Sequence, residues 1–252
     1  VRRQQALPNA QPSCASLLPS PHPMTDFEQP VVVGIAGPSG SGKTTLCRSV
    51  ADRLASLEAG HAPAHILSCD NYYIPLPAGT DPSCYNFDEP CALDFALFAS
   101  HLDALKRGEA IDMPVYDFAT HSRTGTTRVE PRSIIFVEGL FTLHAEAKLL
   151  PHLDVKIFLS VDADECLARR VMRDVEERGR GVADIIAQYR RYVKPANEIY
   201  ILPSQQSADI VVPADSWRPG ALSVVIHTIV LLIMGFESTR DAKVEEEAAA
   251  KT

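Results

Sequence analysis

Between an apolar run and an amphipathic stretch stand Gly37, Pro38, Ser39, Gly40, Ser41, Gly42, Lys43, Thr44 and Thr45. Gly37 to Thr44 fit the spacing G-x-x-x-x-G-K-[ST]. Glycines in such a loop let backbone N–H groups close round a phosphate with no Cβ in the way. A helix starting at the loop aims its positive end at the same anion. Lys43 can then reach the outer phosphates, and the Thr44 hydroxyl can ligate Mg2+. The flanks agree. Val31-Val-Val-Gly-Ile-Ala36 reads as a strand, and Leu46, Val50 and Leu54 mark one face of a helix. The chemistry is binding of ATP or GTP with Mg2+. The sequence holds no Asn-Lys-x-Asp guanine reader, which argues against a GTPase.

Phosphoryl transfer needs acids and an acceptor as well. Glu138 ends the apolar run Ser-Ile-Ile-Phe-Val-Glu-Gly, where a second metal-side carboxylate falls when strand ends and phosphate loop share one sheet edge. Asp70, in Ser68-Cys69-Asp70-Asn71-Tyr72-Tyr73, closes the second strand and can take the proton of an attacking hydroxyl. Read locally, it could equally cap a turn. Tyr85-Asn-Phe-Asp-Glu-Pro90 and Met113-Pro-Val-Tyr-Asp-Phe118, with His121 and Arg123 beyond, mix aromatics and acids. Rings hold a flat base, acids take sugar hydroxyls, and a histidine reads a ring carbonyl or amino group. Packing of these loops on the core is the competing reading. Arg169, Arg170, Arg173, Arg178 and Arg180 crowd one stretch, with Gly179 and Gly181 around the last. They suit a hinged lid that closes on a phosphoryl group, or a salt-bridged surface helix, since acids are interleaved.

The elements that must position these residues follow from periodicity. Apolar runs (31–36, 65–69, 133–137, 155–161, 210–212) alternate with helical patterns, of which one covers 94–107 and another 182–193. Near-continuous apolar strands between helices mean a parallel sheet covered on both faces, hence an α/β domain. It is expected over 27–236, after a disordered leader over 1–26 and before a charged, alanine-rich tail over 237–252. The run Ala221–Phe236 is too short for a membrane anchor and reads as a helix buried in the chain or against another subunit. With 252 residues, 46% hydrophobic and 22% charged, global disorder is excluded. A net charge of −8 lacks the footprint of a duplex binder, so no nucleic-acid or membrane partner is expected. Six cysteines without a CxxC pair suit reduced thiols, and Cys69 reads as a passive side chain.

The ordered set GPSGSGKTT, SCDNYY, YNFDEPCALD, MPVYDFATHSR, FVEG, ARRVMRDVEERGR and QYRRYVKPANEIYILP resembles the uridine kinase (uridine–cytidine kinase) family from about Val31 to Val212. The resemblance implies a P-loop kinase fold: a five-stranded parallel sheet with helices on both faces, a small β-hairpin and an Arg-rich helical lid. It implies a homo-oligomer, a tetramer, serving pyrimidine salvage, and the reduced thiols suit a cytoplasmic protein. The implied reaction is MgATP-dependent phosphorylation of the 5′-hydroxyl of uridine or cytidine. Asp70 would be the general base, and Thr44 and Glu138 the metal shell. Asp88 and Arg170 would hold the ribose. Tyr116 and His121 would read the pyrimidine, with Phe118 and Tyr73 round it, and Arg180 and Gln188 would complete the nucleoside side. Lys43, Arg173 and Arg178 would serve the phosphates. The sequence departs at Glu89, where the family usually has His, and at Asp215–Pro219. A related kinase for pantothenate, ribulose phosphate or nicotinamide riboside, or a nucleotide-binding regulator without catalysis, stays open as the alternative.

Overall fold

The computed structural model describes residues 29–57, 64–213, 216 and 218–249. The expected leader lies outside the described residues, as do Asp215, Trp217 and the side chains of the expected tail. In chain order the elements are β1 (Val31–Ala36), α1 (Lys43–Leu57), β2 (His65–Ser68), α2 (Phe95–Lys106), β3 (Ile111–Asp117), β4 (Ser122–Val129) and β5 (Ile134–Gly139). Then follow β6 (Val155–Ser160), α3 (Ala163–Glu176), α4 (Val182–Gln188), α5 (Lys194–Ala196), β7 (Ile210–Pro213) and α6 (Pro219–Ala249).

Five strands form one sheet in the order β2-β5-β1-β6-β7, every pair parallel. Its strands are apolar on both faces because both faces are covered. Val31, Val33, Ile35, Phe136 and Ile157 point into one core with Leu46, Val50 and Leu54 of α1 and Ile229, Val230 and Ile233 of α6. Val32, Ile135, Val137 and Phe158 point into the other with Phe98, Leu102 and Leu105 of α2. β3 and β4 make a separate antiparallel hairpin. Its register shifts between Val115 and Tyr116.

Parallel strands bring their C-terminal ends to one edge, and the loops that do chemistry gather there. Ser68 pairs with Glu138 across β2 and β5, so the ends carrying Asp70 and Glu138 are level. Arg123 of β4 clasps this edge: its guanidinium donates to the carbonyls of Tyr73 (3.1 Å) and Tyr72 (3.2 Å) and pairs with Asp94 (3.3 Å). Asp94 also caps α2, accepting from the Leu97 N–H.

The helix expected over 182–193 changes character at Tyr189. There α4 passes into a π turn (Tyr189–Val193), then α5, then a second π turn (Asn197–Ile201). Pro195 inside this stretch cannot donate to an α ladder, which favours wider turns nearby. The backbone of α6 continues as helix beyond 236 to Ala249. One face of α6 is buried in its own chain, while Val224, Leu231, Leu232 and Phe236 are exposed. Among the described residues no helix is long and apolar enough to cross a membrane.

Candidate active site

The phosphate loop is set by its glycines. Gly40 has φ +85° and a Cβ there would run into the Cys166 carbonyl of α3. At Gly37, φ +149°, a Cβ would lie 2.8 Å from the Leu159 carbonyl. Neither position tolerates a side chain, so the loop is pressed against β6 and α3. Lys43 is buried, and its ammonium donates to the carbonyls of Gly37 and Pro38, both at 2.9 Å. Burial lowers its pKa; the charges of Glu138 and Asp70 oppose the shift. The lysine expected to grip phosphate therefore rests on the carbonyls of its own loop.

Thr44 donates its hydroxyl to Glu138 Oε1 at 3.1 Å, so the two residues expected at a metal are in contact. Burial, then the charge of Asp70, pushes the Glu138 carboxyl above its ordinary range, while Lys43 pulls it down. An exposed hydroxyl on a buried carboxylate, beside a second carboxylate, is an oxygen-only donor set that suits a hard divalent cation. Among the described residues no three His, Cys, Asp or Glu side chains cluster as a self-sufficient metal site. The set thus fits Mg2+ that also takes phosphate oxygens. Asp70 sits half-buried in the 3-10 turn Cys69–Tyr72, whose start is held by the Ser68 hydroxyl. Its neighbour Cys69 is buried against Thr142 (3.5 Å), and burial pushes its thiol far up, which leaves it inert.

Opposite the loop stands the arginine group. Asp174 of α3 is 0% exposed and collects four guanidinium groups. Arg173 donates to its Oδ1 twice (2.7 and 2.9 Å) and Arg178 approaches the same oxygen at 3.4 Å. Arg180 and Arg170 approach Oδ2 at 3.5 and 3.8 Å. Arg170 and Arg180 each donate to Gln188 Oε1 at 3.1 Å, and Arg170 also donates to the Ser39 hydroxyl at 3.1 Å. Burial would raise the Asp174 pKa, but Arg173, Arg178 and Arg170 outweigh it and hold the carboxyl below its ordinary range. Arg169, one residue from Arg170, instead bonds Glu165 at 2.7 Å on the exposed side.

The remaining wall is aromatic. Tyr73 meets Phe118 at 5.9 Å and Phe87 at 6.2 Å between ring centres, and Phe87 stacks on His121 at 4.6 Å. Arg178 lies 4.4 Å over the Phe118 ring. His121 has φ +50°, a left-handed conformation unusual for a residue with a Cβ. Burial and the charge of Arg180 lower its pKa, so the imidazole is neutral at neutral pH, and its buried Nδ1 has no hydrogen-bond partner. Asp88 is buried and raised above the ordinary carboxylate range by burial; Arg170 opposes the shift. Glu89 is not among the leading influences on Asp88. Its carboxylate faces Asn86, accepting from the amide at 2.8 Å, and Asn86 in turn accepts from the Asp88 N–H at 3.0 Å.

One cleft unites these parts. Ser39, Lys43, Thr44, Asp70, Tyr73, Asp88, Phe118, His121, Glu138, Arg170, Arg173, Arg178, Arg180 and Gln188 all line it. Tyr116 does not: it stands a layer behind on the buried face of β3, packed on Tyr73 (5.3 Å) and Phe118 (5.2 Å). Its hydroxyl is buried and unpaired. Phe87 and Leu140 line the cleft without having been singled out, and Asp174 organises the arginines behind it. Phe87 lay inside a motif already read as aromatic and acidic. Leu140 and Asp174 carried no signal of their own, since a leucine after a strand and an aspartate among helix charges are ordinary.

At 38% identity over 208 residues, the chain matches a uridine kinase of Deinococcus deserti, with 80% of this chain and 96% of that one aligned. A uridine kinase of Escherichia fergusonii is 40% identical over 196 residues, 75% of this chain and 90% of the other. Uridine-cytidine kinase A of Dictyostelium discoideum is 36% identical over 225 residues; these are 88% of this chain but only 44% of that longer protein. Among solved structures, a Silicibacter kinase described as part of a fructose transport system has a TM-score of 0.61 at 26% identity, covering 75% of this chain and 93% of that one. Phosphoribulokinase of Rhodobacter spheroides has a TM-score of 0.54 at 16% identity, covering 73% and 70%, and shares the fold. The model of the Phosphoribulokinase / Uridine kinase family matches residues 32–218, and this chain belongs to that family.

Proposed function

We propose that the protein transfers the γ-phosphoryl group of MgATP to the 5′-hydroxyl of uridine or cytidine, in pyrimidine salvage. The observation that carries the reading is the two-ended cleft. At one end the phosphate loop, Lys43, Thr44 and Glu138 await a nucleotide with its cation. At the other, Tyr73, Phe118, His121, Asp88 and Arg170 await a ring and a sugar, and Asp70 stands between. The relatives named above make nucleosides the first acceptors to test.

In this reading Thr44 and Glu138 would hold Mg2+, which would supply charge neutralisation at the phosphate oxygens. Asp70 accepts the 5′-hydroxyl proton as the oxygen attacks in line. Lys43, Arg173 and Arg178 offset charge on the transferring group. Asp88 and Arg170 hold the 2′- and 3′-hydroxyls. Phe118 and Tyr73 flank the base, backed by Tyr116, Arg180 and Gln188 close over it, and the unpaired Nδ1 of His121 meets its edge. The glycines at 179 and 181 hinge the arginine segment. The kinase unit spans 27–236, flanked by leader and tail, and works as a cytoplasmic homo-oligomer, a tetramer.

ADP formation from MgATP over a panel of nucleosides and other small alcohols tests the reading. Turnover with uridine and cytidine is expected. Turnover only with pantothenate, ribulose phosphate or nicotinamide riboside would replace the acceptor; nucleotide binding without any turnover would leave a regulator.

A further inference from the structure

We infer that Asp174 is a positioning residue that couples the two halves of the cleft, so that bound nucleotide tightens the hold on the nucleoside. This rests on the proposed roles of the arginines and goes beyond them. The carboxylate is wholly buried, and each oxygen serves a different pair. Oδ1 takes Arg173 and Arg178, the pair proposed above to serve the phosphates. Oδ2 faces Arg170 and Arg180, which share Gln188, proposed above for the nucleoside; Arg170 also reaches back to the Ser39 hydroxyl of the phosphate loop.

The two oxygens are not equally satisfied. Oδ1 has two short bonds from Arg173, at 2.7 and 2.9 Å. Oδ2 has only the long approaches at 3.5 and 3.8 Å, and both Oδ2 and Arg170 Nε count as buried atoms without a hydrogen bond. A buried carboxylate oxygen without close donors is costly, so the present arrangement favours one pair at the expense of the other. Phosphate oxygens that draw Arg173 and Arg178 off Oδ1 free the carboxylate to close on Arg170 and Arg180. Those two are then fixed, together with Gln188, where the nucleoside binds. A coupling of this kind is a difference in contacts between two arrangements, and it works equally in both directions.

Uridine affinity measured by calorimetry, with and without a non-hydrolysable ATP analogue and Mg2+, tests this. In the wild type the analogue is expected to tighten uridine binding about fivefold or more. In Asp174→Asn, which keeps the shape and removes the charge, the ratio should fall to within about twofold of unity, whatever the separate affinities. A side chain that served only packing would lower both affinities and leave the ratio alone. Should Asp174→Asn fail to fold, Arg180→Met removes the nearer of the two arginines facing Oδ2, at a partly exposed position, and the same collapse of the ratio is expected. Either variant retaining the wild-type ratio, or a wild type whose uridine affinity ignores the nucleotide, overturns the inference while leaving the acceptor intact. A wild type that does not bind uridine overturns both.

Discussion

The phosphate half and the acceptor half of the cleft are built in opposite ways. The phosphate half comes chiefly from one strand–loop–helix unit, β1 to α1, whose residues are neighbours in sequence, with Glu138 added from the end of β5. The acceptor half is assembled from four separate pieces: the 3-10 turn at Asp70, the loop with Asp88, the hairpin with Phe118 and His121, and α3–α4 with the arginines. A site made by one unit is fixed before ligand arrives. A site made by four depends on the contacts that hold them together, here Arg123 and Asp174, and can close only as they move. Selectivity should therefore reside in the acceptor half, and sensitivity to backbone change in the phosphate half.

The largest effect that would break this contrast concerns the sugar. Asp88 and Arg170 are both buried, and a 2′-deoxyribose would leave them facing an empty position. Sites built to bond a hydroxyl reject the analogue lacking it by as much as ~10⁴ in kcat/KM. Uridine against deoxyuridine measures it, and equal efficiencies would remove Asp88 and Arg170 from the ribose. Next comes Asp70→Asn, which is expected to lower kcat by about 10³ while ATP affinity stays within about twofold, because general bases contribute on that scale. Near-normal turnover in that variant would sink its role as base.

Gly40→Ala tests the other half. With φ +85° and the Cys166 carbonyl in the way, the substitution should cost about 2 kcal/mol in stability and weaken ATP binding, with uridine affinity little changed. Thermal melts and nucleotide titration separate the two. A smaller effect sharpens the acceptor side. Burial and then Arg180 hold the His121 pKa below its ordinary 6.5, so the ring binds as neutral imidazole down to and somewhat below that pH. Protonation adds a cation beside Arg180, so kcat/KM for uridine should be flat from neutral pH to 6.5 and fall only at lower pH. Asp88, whose pKa is raised, loses its charge in the same direction. His121→Asn should remove the histidine's share of that acid limb.

The same contrast explains what could be read from sequence. The parallel sheet was legible because buried strands must be continuously apolar, and the phosphate loop because its glycines, lysine and threonine adjoin. Asp70 and Glu138 followed from strand ends sharing an edge. Asp174 was not legible, since its role depends on Arg178 and Arg180 folding back from beyond the helix. Leu140 was hidden because an apolar residue after a strand looks the same whether it faces core or cleft. The position of Tyr116 behind Tyr73 depends on packing between the hairpin and the turn after β2, which no local pattern records. The π turns after Tyr189 escaped because apolar spacing does not distinguish them from an α-helix over a few residues.

The smallest expected effect makes the sharpest test of tertiary against local reading. Arg169 and Arg173 stand four apart on α3 and looked alike in sequence. In the structure Arg173 turns to buried Asp174 and lines the cleft, while Arg169 bonds Glu165 where both side chains are substantially exposed. Exposed pairs of this spacing contribute about 0.3–0.5 kcal/mol, since water screens the charges and ordering two long chains costs entropy. Arg169→Ala should shift stability by no more than that and leave kcat/KM within about twofold. Arg173→Ala should lower kcat by at least about 10², because a charge placed on a transferring phosphoryl group acts where water is excluded. Comparable losses in the two variants would mean that the helix as a whole, and not the guanidinium group facing the cleft, carries the effect.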